Sequence, residues 1–196
     1  MLVGERKAHL RLSERRRVDS GEPDRERAEK SLLVQEHFQA VFPARAGQKI
    51  ALYSALRGEV GTDRIRERCL AAGAWLYYPR VSEDGSLLFF RHEENDGWER
   101  GRFGIREPRT VPGKEGIRKG FHLVVVPGLA FDTAGRRLGR GHGCYDRFLF
   151  ALGGTAVTVG LAFSWQLVPE VPVDAWDVPV GVVITENGVV VGRGIK

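Results

Sequence analysis

Between Arg136 and Phe148 the chain reads RRLGRGHGCYDRF, with glycines at alternate positions (Gly139, Gly141, Gly143), four arginines, and Tyr145-Asp146 where a helix begins. Glycine lets backbone N–H groups approach an anion closely, and a helix N-terminus adds unpaired donors and a partial positive charge. Arginine adds bidentate phosphate contacts. The spacing G-R-G-H-G matches neither G-x-x-x-x-G-K-[ST] nor G-x-G-x-x-G, so the P-loop and the dinucleotide fingerprint do not apply. Spacing alone leaves a phosphate cradle and a flexible turn both open. Asp146 would repel a bound phosphate unless a cation such as Mg²⁺ stood between them, and it reads equally well as a first-turn acid favoured by the helix dipole. Cys144 is either a thiol activated by the helix terminus and the arginines or a small space-filler.

The elements around this stretch set where it can sit. FHLVVVPGLAFD (121–132) has the composition of a buried strand ended by Pro127-Gly128, and a helix is predicted from Tyr145 to Leu152. The Gly-Arg stretch therefore lies at a strand-to-helix junction, where open α/β sheets bind ligands. Upstream, two helices are split by VDSGEPD (18–24), with Asp24 as cap for a second helix over 24–42 that carries Leu33 or Val34, Phe38, Val41 and Phe42 at helical spacing. KIALYSAL (49–56) reads as a strand, TDRIRERCLAAG (62–73) as a helix capped by Thr62 and ended by Gly73, and AWLYYPRV (74–81) as a second strand. Glu83-Asp84-Gly85 marks a turn before a short strand SLLFFR, and GRFGIREP belongs to an irregular, exposed stretch. TAVTVGLAF (155–163) is another central strand, and Asn187-Gly188 in GVVITENGVVVGR is a strong hairpin signal. Strands alternating with helices predict a three-layer α/β fold: a mostly parallel sheet, helices on both faces, N-terminal helices and an antiparallel C-terminal β-hairpin at one edge.

Composition narrows the class of protein. A chain of 196 residues, 42% hydrophobic and 28% charged, fits one globular domain over 1–196. Cys69 and Cys144 form neither a C-x-x-C pair nor a metal-spaced run, so reduced thiols in a cytoplasmic protein are expected. No apolar stretch approaches the length of a spanning helix. The net charge of +5 suits an anionic partner. Nucleic acid, nucleotide and polyanionic substrate all fit that balance.

The stretch PGLAFDTAGRRLGRGHGCYDRFL resembles the signature of the 5-formyltetrahydrofolate cyclo-ligases, also called 5,10-methenyltetrahydrofolate synthetases. Shorter matches extend the resemblance along nearly the whole chain: Lys7 and Arg11, LYSALRGEVGTD, GRFGIREP, Gln166, Val171-Pro172 and Asp177. The resemblance implies ATP-dependent, Mg²⁺-assisted cyclisation of 5-formyltetrahydrofolate to 5,10-methenyltetrahydrofolate, with ADP and phosphate released. It implies an ATP site of Lys7, Arg11, Arg137, Leu138, Gly139, Arg140, Gly141, His142, Gly143, Cys144 and Tyr145. It further implies Asp146 and Asp177 as magnesium ligands, and a folate site of Ser54, Glu59 and the stretch Arg140 to Cys144. Arg140 and Tyr145 become the catalytic residues. A carboxylate such as Glu59 can accept hydrogen bonds from a pterin's amino and ring N–H groups; without the resemblance it reads as a solvated turn residue.

The chain departs from the family pattern at Cys144, where a tyrosine is usual, at Trp176, where a polar residue is common, and at Gly181, where an acid is usual. Two rival readings follow. A relative with these changes could bind ATP and have lost the folate reaction. A basic module could instead grip RNA, but no RNP-type aromatic pattern is present, and Asp19, Glu22, Asp24, Glu26 and Glu29 follow the N-terminal basic cluster of Arg6, Lys7, Arg11, Arg15, Arg16 and Arg17. A monomer acting on small molecules, with no nucleic-acid or membrane partner, is the expectation.

Overall fold

In the computed structural model, which describes residues 2–93, 96–101, 104–109 and 113–191, the alternating pattern folds as one seven-stranded sheet with helices on both faces. The helices are α1 (Val3–Ser20), α2 (Asp24–Val41), α3 (Asp63–Ala71) and α4 (Cys144–Leu152). The strands are β1 (Lys49–Ala51), β2 (Trp75–Val81), β3 (Leu87–His92), β4 (Trp98–Arg100), β5 (Arg106–Pro108), β6 (Leu123–Val126), β7 (Ala130–Phe131), β8 (Arg137–Leu138), β9 (Val157–Leu161), β10 (Val182–Thr185) and β11 (Gly188–Val191). The main sheet runs β11-β10-β9-β6-β1-β2-β3. Its five inner strands are parallel, and the predicted hairpin supplies antiparallel β11.

The opposite edge is antiparallel as well. After the turn at Gly85 (φ +78°), β3 folds back on β2 with Leu76 opposite His92 and Val81 opposite Leu87. Two further ribbons, β4-β5 and β7-β8, stand outside the main sheet. Arg102 and Phe103 of GRFGIREP, and the final residues of the C-terminal hairpin stretch, lie outside the described residues.

Both sheet faces are buried, which explains the unbroken apolar runs. Leu123 and Val125 of β6 pack with Val34 and Phe38 of α2 and with Ile65 and Cys69 of α3. Val124 and Val126, one residue out of phase, pack with Phe148, Leu149 and Leu152 of α4. Helix α1 joins a smaller cluster through Leu10, against Ala130, Leu138 and Val171. No helix among the described residues is long and apolar enough to cross a membrane.

Several boundaries differ from expectation for local reasons. Pro23 occupies the N-cap of α2, so Asp24 is a first-turn acid rather than the cap. Val34 is the inward residue of the Leu33-Val34 pair; Leu33 is 45% exposed. Thr62 stands at the N-cap of α3, but its hydroxyl donates to the Tyr53 carbonyl (3.0 Å) instead of capping the helix. Strand β1 spans three residues instead of eight: after Leu52 N–H donates to the Tyr77 carbonyl (2.9 Å), the chain leaves the sheet and carries Ser54 to Glu59 to its carboxyl end. The strand in FHLVVVPGLAFD ends at Val126, directly before Pro127-Gly128, as expected.

Candidate active site

Between β6 and α4 the sequence reading expects a plain loop, but the chain first forms the small ribbon β7-β8, with Ala130 opposite Leu138 and Phe131 opposite Arg137. Asp132, 1% exposed, holds the ribbon's turn. Its Oδ1 accepts the N–H groups of Ala134 (2.9 Å) and Arg136 (3.0 Å), and its Oδ2 accepts Arg136 Nε (2.6 Å) and the Val171 N–H (2.9 Å). Gln166 is buried beneath, donating through Nε2 to the carbonyls of Gly128 (3.0 Å) and Leu129 (3.2 Å). The ribbon thus delivers Arg137 at a fixed height above the sheet, and residues 139–143 turn from it into α4.

Two glycines in that turn have structural reasons. A Cβ on Gly139 would come 2.7 Å from Arg137 Nη1. Gly143 is the N-cap of α4 at φ +64°, a left-handed conformation that side chains disfavour. Arg147, on the first turn of α4, ties the turn to the β2-β3 hairpin by donating to the carbonyls of His142 (3.2 Å) and Gly85 (2.8 Å).

Above the carboxyl ends of the parallel strands this turn faces a cavity of about 390 Å³. Every site residue anticipated from the sequence lines it: Lys7, Arg11, Ser54, Glu59, the run Arg137 to Asp146, and Asp177. The cavity has two chemically different ends. One is charged, built by α1, the Gly-Arg turn and the segment 174–177. The other is more apolar, with Leu56, Pro79, Val81, Leu87 and Ile105 from the β1 exit, the β2-β3 hairpin and the β4-β5 ribbon.

The charges at the first end are paired. Lys7, 7% exposed, donates from Nζ to Asp174 Oδ2 (2.6 Å) and to Asp177. Burial alone would lower the pKa of its ammonium, but the hydrogen bonds and charges of the two carboxylates outweigh this and raise it. Arg11 Nε donates to the Gly139 carbonyl (2.9 Å). Buried Arg137 donates from Nη2 to Asp146 Oδ1 (2.9 Å) and lies with its guanidinium carbon 5.7 Å from the Tyr145 ring centroid. Its Nε is buried with no hydrogen-bond partner among the described residues. Arg140 contacts Glu59 Oε1 with Nε (3.1 Å) and Nη2 (3.0 Å), while Glu59 Oε2 accepts the Leu56 N–H (2.9 Å). Glu59 is therefore not the solvated turn residue its sequence context suggests; its side chain is 7% exposed.

Tyr145 sits where the two ends meet. Its hydroxyl is buried and has no hydrogen-bond partner among the described residues. Burial, aided by the charge of Glu59, drives its pKa far up, so it remains a proton-bearing donor.

The metal question turns on Asp146 and Asp177. Among the described residues no three His, Cys, Asp or Glu side chains group closely enough to hold an ion by themselves. Asp146 and Asp177 each engage a cationic side chain through one oxygen, Oδ1 and Oδ2 respectively. Magnesium is commonly held by one or two carboxylates with phosphate and water oxygens completing the shell, and this donor set fits that arrangement.

The profile of the 5-formyltetrahydrofolate cyclo-ligase family matches residues 3–186. The chain belongs to this family. A 5-formyltetrahydrofolate cyclo-ligase of Haemophilus influenzae is 31% identical over 149 residues, 74% of this chain and 80% of that protein. One of Escherichia coli is 29% identical over 181 residues, 91% and 98% of the two chains. The NMR structure of Aquifex aeolicus 5,10-methenyltetrahydrofolate synthetase superposes with a TM-score of 0.79 at 31% identity, covering 100% of this chain and 95% of that one.

The cavity also takes in Asp174, the apolar wall and Glu107, none of them expected there from the sequence, and Trp176, which stood out in the sequence only as a departure from the cyclo-ligase pattern. Asp174 had a signal in the D-x-x-D spacing with Asp177. Glu107 of β5, 2% exposed, takes the Val81 N–H (3.2 Å), and burial raises its pKa; nothing in its sequence context marks it as inward. Of the three departures from the family pattern, Cys144 and Trp176 line the cavity and Gly181 does not; its N–H donates to the Thr158 carbonyl (3.0 Å).

Proposed function

We propose that the protein catalyses the ATP-dependent cyclisation of 5-formyltetrahydrofolate to 5,10-methenyltetrahydrofolate, releasing ADP and phosphate, with residues 1–196 acting as one domain. The observation that carries this reading is a single cavity in which Lys7, Arg11 and the Gly-Arg turn face Ser54, Glu59 and an apolar wall. Such a site can hold an anionic nucleotide against a heteroaromatic substrate.

In this reading the formyl oxygen attacks the γ-phosphorus and ADP leaves. N10 then attacks the activated carbon, and the ring closes as phosphate departs and the N10 proton is released with it to solvent. Phosphoryl transfer of this kind asks for positioning and charge neutralisation, not for a protein nucleophile. Arg137 and the N–H groups of residues 139–145 hold the phosphates at the start of α4. Arg140 lies between them and Glu59 and bridges transferred phosphoryl and folate. The Tyr145 hydroxyl, a buried donor without a partner, orients the formyl oxygen or the phosphate formed on it. Ser54 and Glu59 accept the polar edge of the folate ring. Asp146 and Asp177 would hold a magnesium ion, which would supply charge neutralisation for the nucleotide phosphates.

The test is to incubate the pure protein with 5-formyltetrahydrofolate, ATP and Mg²⁺ and follow methenyltetrahydrofolate by its absorbance. Product that requires all three components is expected. Its absence at high enzyme concentration overturns the assignment, and nucleotide binding without product would favour a relative that has lost the folate reaction.

A further inference from the structure

The segment 174–177 is a turn locked from inside. The Asp177 N–H donates to the Asp174 carbonyl (3.1 Å), the Asp174 N–H donates to Asp177 Oδ2 (2.7 Å), and both carboxylates hold Lys7. With both acids turned toward Lys7, the third residue of the turn, Trp176, stands on the cavity rim with 69% of its surface in water. An indole is among the largest apolar surfaces a protein can offer, and here it rests on a backbone turn fixed by two carboxylates and a lysine.

The position of Trp176 decides which ligand ring it can serve. It sits between Asp174 and Asp177, the two acids that hold Lys7, and α1 in turn reaches the Gly-Arg turn through Arg11 on the Gly139 carbonyl, so Trp176 shares the cavity's charged end with the turn where phosphates are to be held. The opposite end has its own apolar wall for a folate ring. Of the three aromatic rings of tyrosine or tryptophan lining the cavity, Tyr53 is committed, donating to the Val60 carbonyl (2.6 Å), and Tyr145 lies against Arg137 at the centre. Beside the small imidazole of His142 on the turn itself, Trp176 is therefore the one large, open ring at the charged end on which a nucleotide whose phosphates lie on the Gly-Arg turn can lay its base.

We propose that Trp176 is the stacking platform for the nucleobase, and that it favours purine over pyrimidine nucleotides because a purine covers more of the indole. The inference rests on the proposal that this cavity takes ATP, but not on the folate chemistry.

Titration with a non-hydrolysable ATP analogue and Mg²⁺, read by tryptophan fluorescence and by calorimetry, tests it directly. Stacking of a base on an aromatic side chain predicts a Kd raised about fivefold or more by Trp176→Ala, largely restored in Trp176→Phe. The corresponding cytidine analogue is expected to bind more weakly to the wild type and to lose less on the same substitution. In the cyclisation assay the KM for ATP rises and the KM for 5-formyltetrahydrofolate stays within about twofold, since the folate end is untouched. An unchanged analogue Kd, or an effect confined to the folate KM, overturns the proposal. Analogue binding that depends on Trp176 in a protein that makes no methenyl product upholds it while removing the folate function. The exposed position predicts unchanged thermal unfolding for both variants, which keeps a folding defect from passing as a binding one.

Discussion

Arg137 and Asp146 meet inside the cavity, so Asp146 has two partners to satisfy: a buried guanidinium through Oδ1 and, in the proposed function, a magnesium ion. Asp146→Asn keeps the shape and a hydrogen-bond acceptor but removes the charge. Activity is expected to fall about tenfold or more, the scale of one lost charge-assisted contact, with a higher Mg²⁺ concentration for half-maximal rate. Wild-type behaviour at limiting Mg²⁺ would exclude the metal role. Cys144 opens α4 on the cavity wall, with its Sγ 3.8 Å from the His142 carbonyl and 3.9 Å from Arg147 Nη2. Cys144→Tyr is expected to lower the KM for 5-formyltetrahydrofolate by about two- to tenfold, the range of one added aromatic contact. An unchanged KM means the position does not face that substrate. At this scale the sequence was most informative where chemistry is local: glycines, arginines and an acid within a few residues of one another marked the turn that lines the cavity. It was silent on pairings across the chain. Nothing near Glu59 announces Arg140, and nothing near Lys7 announces Asp174.

Helices and strands followed from periodicity wherever an element was long and buried on a definite face, as in α2, β2, β6 and β9. The ribbons β4-β5 and β7-β8 escaped because strands of two or three residues are too short for an alternation to register. Yet these ribbons shape the cavity: β7-β8 carries Arg137, and the β4-β5 ribbon brings Ile105 and Glu107 to the wall. The β4-β5 ribbon is tied to β2 through Arg80, which donates to Glu99 and the Pro108 carbonyl, and it packs on His92, which is 1% exposed with both ring nitrogens lacking hydrogen-bond partners among the described residues. The imidazole lies 4.1 Å from the Trp98 ring and meets Tyr78 edge-on at 5.6 Å. Burial is the main cause of its lowered pKa; Asp96 opposes this, while Arg66, Lys114 and Arg106 reinforce it. As pH falls below the ordinary histidine value of about 6.5, the unfolded chain takes the proton first, so stability drops until the folded pKa is passed. The urea midpoint should therefore fall between pH 7.5 and pH 5.5 by more in the wild type than in His92→Phe, with a difference of at most about 1.4 kcal/mol per pH unit. Equal slopes would show that the imidazole is not held neutral by its surroundings.

Across the whole molecule, the predicted order of strands and helices gave the parallel sheet and its C-terminal hairpin edge. The second antiparallel edge is a local hairpin whose turn and returning strand were legible at 83–91, whereas the path of α1 along the cavity depends on contacts between distant segments, which no local pattern encodes. Because α1, the Gly-Arg turn and the segment 174–177 share the charged end, a nucleotide there should stabilise the entire fold. An ATP analogue with Mg²⁺ at a hundredfold excess over its Kd is expected to add about 2.7 kcal/mol to the unfolding free energy. Lys7→Met should lose most of that gain; a full thermal shift in the variant would argue against nucleotide contact at α1. The clasp itself spans 167 residues from Lys7 to Asp174 and 170 to Asp177. During synthesis α1 is therefore made 167 residues ahead of Asp174, and its buried ammonium waits that long for its counter-charges. Closing so long a loop is slow compared with forming local helices and hairpins. The nascent protein can build most of its sheet early, but the charged end of the cavity can be completed only after the segment carrying Asp174 and Asp177 has left the ribosome.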